Sequence, residues 1–166
     1  MKIACVTTKH HTNGYEIVIT DDKGVGTIFS TNTETNIIRI GYQRAIQITN
    51  QKESNKVFSL YGFHEMLHIQ SYNSQLEPDK KYREIFATLG EYYFILKQDG
   101  ENAANSKLNF HKKSNPNSYR VRGMQTAKTF YEARGEDKLT QLIQNYITTK
   151  GIGKQRFIDA AKQIKN

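Results

Sequence analysis

Phe63-His64-Glu65-Met66-Leu67-His68 is the stretch on which the reading of the chain turns. It has the form H-E-x-x-H. On a helix, residues four apart share a face, so His64 and His68 can both reach one Zn²⁺, and Glu65 can reach a water on that ion. The surrounding residues favour a helix. Val57, Leu60, Tyr61, His64, Leu67 and His68 recur at steps of three and four, as the apolar stripe of a helix does. Ser54 or Asn55 is a suitable N-cap. Gly62 costs little within the helix and would let another backbone come close. The two histidines therefore fall on the apolar-periodic face and not on a purely solvated one.

A catalytic zinc takes three protein ligands and keeps one position for water. A third histidine at the close spacing H-E-x-x-H-x-x-G-x-x-H is excluded, because position 74 is Ser74. The remaining candidates are Glu77, Glu84, Glu91, His111, His10 and His11. Glu84 is preferred, since it lies in the first half of the next expected helix, after a connection long enough to reverse the chain. Glu91, two turns later, is the second choice. Glu77 stands beside Pro78 and reads as solvated, as do His10, His11 and His111. The plain alternative for Glu84 is an ion pair with Lys80 or Lys81.

Outward from the motif, the N-terminal third reads as strands. Residues 2–7, Tyr15–Thr20, Val25–Thr31 and Asn36–Gly41 are rich in β-branched and aromatic side chains. Asp21-Asp22-Lys23-Gly24 is turn chemistry, which predicts a hairpin between the second and third of these. Residues 42–49 fit a strand or a short helix equally. After the motif, residues 71–79 form a polar connection. A helix follows that Asp79 can cap and that ends near Gln98-Asp99-Gly100, with Tyr82, Ile85, Phe86, Leu89, Tyr93 and Leu96 on its apolar face. Residues 101–105 suggest one or two more helical turns, and 114–118 a loop. Residues 124–134, 137–149 and 154–164 read as three helices broken at Gly135 and at Gly151-Ile152-Gly153.

The composition sets limits. The 166 residues suit one domain with a small appendage. A hydrophobic fraction of 37 % is low, but ten Tyr and eight Phe supply large buried areas. Cys5 is the single cysteine, so neither an internal disulfide nor a cysteine zinc cluster is expected; it fits a packed strand residue. No apolar run approaches the roughly 18 residues of a membrane span, and the N-terminus is too polar for a secretory signal. The expectation is a cytoplasmic protein, or one exported by a specialised system that uses no such signal. The net charge of +8 is scattered rather than clustered, which argues for a solvated surface over a nucleic-acid partner.

The set His64-Glu65-Met66-Leu67-His68, Glu84-Ile85-Phe86-Ala87-Thr88-Leu89-Gly90, Gly100-Glu101-Asn102-Ala103 and Pro116-Asn117-Ser118-Tyr119-Arg120 resembles the zincin metallopeptidases of the gluzincin type. Within these it is similar to the NleD-like type III effector proteases and the related Rhs-toxin metallopeptidases. The likeness runs over about residues 25–120. Ile69 stands where that family commonly has a small residue, and Asn105 or a neighbour replaces an expected basic one. The resemblance implies a zinc endopeptidase that acts on a protein substrate, in effectors a host signalling protein. It also points to Tyr119 as the donor to the developing oxyanion, with Arg120 or Arg122 as substitutes. Thr88 and Asn102 are candidates to orient the imidazoles.

The expected fold is α+β and zincin-like: a small N-terminal β-sheet, the H-E-x-x-H helix, a second ligand helix and a helical C-terminal region. The expected division is a metallopeptidase domain over 1–123 and a helical extension over 124–166 packed on it. In this reading the metal ligands are His64, His68 and Glu84, with Zn²⁺ as cofactor, and Glu65 and Tyr119 do the chemistry. The rival is a non-enzymatic basic nucleic-acid-binding or regulatory module resting on Lys150, Lys154, Arg156, Lys162 and Lys165.

Overall fold

The computed structural model describes residues 7–8, 16–20, 29–32, 37–41, 50, 54–71, 80–151 and 153–164. Helices dominate these residues. Cys5, His10, His11, Glu77, Asp79, Lys165 and residues 42–49 and 72–79 lie outside them, and with them the expectations placed there. The chain divides into two compact units, Met1–Ile69 and Gln70–Asn166.

In the first unit, β1 (Thr7–Thr8), β2 (Glu16–Thr20), β3 (Phe29–Asn32) and β4 (Ile37–Gly41) lie in the order β1-β2-β4-β3. β1 is antiparallel to β2, β2 is parallel to β4, and β3 is antiparallel to β4 with Phe29 opposite Ile40. The hairpin expected between the second and third strands is therefore not formed. Turn chemistry between two strands says that the chain turns, not which neighbour each strand takes. The Ile-rich β4 takes the interior position between them. Its Ile38 is fully buried while Arg39 is exposed, as alternation about a pleated strand requires.

The unit ends with α1 (Ser54–Ser71). Its buried residues are His64, Glu65, Leu67 and His68. Among the described residues, a methyl group placed at Gly62 would meet no atom within 4 Å.

The second unit is built around α2 (Lys80–Asp99). From Ile85 to Tyr92 every residue is buried, as in a helix surrounded by others. α3 (Glu101–Ser114), α4 (Tyr119–Arg134), α5 (Glu136–Thr148) and α6 (Gly153–Lys162) all pack on it. Gly100, at φ +83°, joins α2 to α3 in the left-handed region that favours glycine. Tyr92 on α2 donates its hydroxyl to Asn105 Oδ1 on α3 at 3.0 Å. Burial, helped by Glu101, pushes that phenol up to about 12. Lys97 Nζ pairs with the Glu136 carboxylate and ties α2 to the start of α5. That contact raises the lysine's pKa.

α4 makes the most extensive contact with α2, and Gly123 is what permits it. A Cβ at Gly123 would lie 1.9 Å from Thr88 Oγ1, 2.3 Å from the Ile85 carbonyl oxygen and 2.9 Å from the Leu89 nitrogen. The expected domain boundary at 123/124 falls inside this unbroken helix. Glycine there serves packing and does not interrupt the chain. Ser118 caps α4, its Oγ accepting from the Val121 N–H at 3.2 Å, so the helix starts five residues earlier than its apolar periodicity suggests.

The C-terminal helices close the core. Phe86 of α2 stacks on Tyr146 of α5, ring centroids 3.9 Å apart, and Tyr146 contacts Phe157 of α6 at 4.5 Å. Arg156 is buried. Its guanidinium lies 4.4 Å over the Tyr146 ring and donates to the Tyr146 and Ile147 carbonyls at 2.9 and 3.3 Å. It thus satisfies carbonyls at the end of α5 that the helix itself leaves open. This removes Arg156 from the basic face on which the nucleic-acid reading depends. Lys150, Lys154 and Lys162 remain exposed. No helix among the described residues is long and apolar enough to cross a membrane.

Candidate metal centre

α1 brings the two histidines together because they are one turn apart. His64 Nε2 and His68 Nε2 are 3.0 Å apart, and the rings meet edge to face at an interplanar angle of 80°. Both rings are buried. Two imidazole nitrogens bound at 2.0–2.1 Å to one tetrahedral ion would sit about 3.3 Å apart. The observed separation fits a shared cation after only a small adjustment. Glu65, between them in sequence, is also buried.

Glu84 is half-buried in the first turns of α2. One ligand atom from each of His64, His68 and Glu84 lies within 4.8 Å of the others, a group that could hold a metal ion. Two imidazoles and a carboxylate form a donor set suited to zinc.

The second-choice ligand has other work. Glu91 is two turns beyond Glu84 and almost fully buried, with its Oε1 3.4 Å from Arg120 Nη2 of α4. Thr88, a candidate to orient an imidazole, instead directs its hydroxyl to the backbone. Its Oγ1 donates to the Glu84 carbonyl at 2.8 Å, with the Ile85 and Tyr119 carbonyls at 3.1 and 3.4 Å. Asn102 is exposed at the start of α3. Tyr119 is the first residue of α4 and 46 % exposed. Arg122 is exposed.

The Glu91–Arg120 pair, with His111 close enough to feel both charges, is a constellation that sequence reasoning leaves unassembled. One signal for it exists: Glu91 follows Glu84 by seven residues, which places both on one face of α2. His111 has a buried Nε2 with no hydrogen-bond partner among the described residues. Burial, then Arg120 and Lys107, push its pKa below the ordinary 6.5, while Glu91 opposes them. The folded chain thus prefers a neutral ring. Below about 6.5 the unfolded chain binds the proton more readily, so this contribution is fully favourable above that pH and is lost as pH falls. Urea denaturation should show a lower midpoint at pH 5.5 than at 7.5, and His111→Asn should reduce that difference. An equal pH dependence in the variant would contradict the assignment.

No family model, curated protein or solved structure matches the chain.

Proposed function

We propose that the chain is a zinc-dependent endopeptidase of the zincin kind. The observation that carries the proposal is the convergence of His64, His68 and Glu84, with a buried carboxylate, Glu65, next to the first histidine. The three grouped residues would hold the ion. When bound, zinc supplies Lewis acidity, bringing the pKa of a water to about 7 and polarising a peptide carbonyl. Glu65 takes the water's proton as general base and passes it to the leaving amine. The Tyr119 hydroxyl is assigned to donate to the developing oxyanion, and its exposure leaves it available to a bound peptide. The similarity to NleD-like effector proteases and Rhs-toxin metallopeptidases extends the proposal. The substrate is then a protein, in effectors a host signalling protein, and the enzyme reaches it through specialised secretion.

The test of the centre is metal analysis. Purified protein should carry about one zinc per chain, as a three-ligand site does. Glu84→Ala should fall well below that under the same dialysis, and His68→Ala further still. Glu91→Ala should retain the metal. An unchanged zinc load in Glu84→Ala would remove Glu84 from the ligand set.

A further inference from the structure

Within the second unit, α2, α3, α4, α5 and α6 together enclose a groove of about 690 Å³, a volume typical of ligand sites. Its floor is apolar, formed by Ile85, Val121, Phe130 and Phe157, with Ile158 38 % exposed at its side. The charged residues that line it are all cations: Lys112 on α3, Arg122 on α4 and Lys154 on α6. All three are exposed, and none forms an ion pair among the described residues.

We propose that this groove docks an acidic protein segment that carries an apolar anchor. The apolar floor calls for a hydrophobic side chain, and the rim calls for negative charge. The placement of the cations chooses among anionic occupants. They stand on three separate helices, so a single-headed amphiphile such as a fatty acid would satisfy one and leave the others idle. A chain with carboxylates on both sides of its anchor engages all three. The groove is a binding surface in its own right and requires no metal.

The experiment uses the full chain carrying Glu65→Gln, kept in a chelator so that hydrolysis plays no part. Fluorescence anisotropy follows a labelled synthetic peptide with a Leu-Phe pair flanked on both sides by glutamates. Saturable binding that weakens with added salt is expected. Arg122→Glu with Lys154→Glu should weaken it about tenfold or more, as like-charge rims do. Ile158→Asp, at an exposed position, should do the same with unchanged circular dichroism. Any of four results would overturn the proposal: affinity unchanged in both variants, equal binding of a lysine-flanked peptide, full displacement by laurate at comparable affinity, or a dimer in sedimentation that Ile158→Asp dissolves. The last two would assign the groove to an amphiphile or to a second copy of the chain. Because zinc is absent throughout, loss of peptide binding and loss of the metal centre are separate outcomes.

Discussion

Glu65→Gln is expected to leave zinc content and thermal stability at the wild-type level while lowering peptide hydrolysis by about 10²–10⁴-fold, the usual contribution of a positioned general base. The substitution keeps the shape of a buried side chain and removes its charge. It leaves His64, His68 and Glu84, the group that could hold a metal ion, untouched. Quenched-fluorescence peptide mixtures, with the zinc-loaded wild type as reference, give the rate. Full activity in the variant would end the assignment of Glu65 as base. Loss of zinc together with activity would instead give Glu65 a structural role. The pairing of the two measurements matters, because loss of activity alone follows from many kinds of damage.

Gly123→Ala is expected to have the largest effect on stability. The new methyl group would lie 1.9 Å from Thr88 Oγ1, 2.3 Å from the Ile85 oxygen and 2.9 Å from the Leu89 nitrogen. A hydroxyl can rotate away, but two backbone atoms inside α2 cannot, so α4 must move off the helix it contacts most. Overpacking of this kind costs about 1–3 kcal/mol or more, against about 1 kcal/mol gained by replacing glycine in a helix. A net loss of roughly 2 kcal/mol should appear in urea denaturation. Thr88→Ala in the same chain removes only the hydroxyl clash and should not restore stability. Gly62→Ala is the matched control, since among the described residues nothing lies within 4 Å of the added carbon there. If the two alanine variants were equally stable, the close approach of α2 and α4 would be refuted.

The contrast between these two glycines shows what a sequence makes legible. Both stand inside helices, and nothing in their local residues says that Gly123 is wedged against a neighbour while Gly62 meets none among the described residues. The H-E-x-x-H pair needs only helical spacing and ligand chemistry, which are local. α2, α5 and α6 are legible because their apolar residues recur with helical period and glycines punctuate them. α3 reads too short: over Glu101–Ser114 only Ala104 and Leu108 are buried, which leaves little stripe to see. The start of α4 escapes periodicity because Gly123 looks like a breaker and Ser118 acts as a cap only in three dimensions. Strand pairing in the first unit, the burial of Arg156 and the Glu91–Arg120 pair depend on partners distant in sequence, which periodicity does not encode.

The aromatic stack that backs α2 carries a consequence for the order of synthesis. Phe86 is covered by Tyr146, and Tyr146 in turn by Phe157 and the Arg156 guanidinium. On a ribosome, where domains fold as units once their residues have emerged, the helix that bears Glu84 stays without its backing until α6 is outside the tunnel. Contacts this far apart in sequence form late, because the intervening loop must be closed first. That helix is therefore backed only after that point, and a nascent chain stalled before Gly153 has α2 without its full aromatic cover.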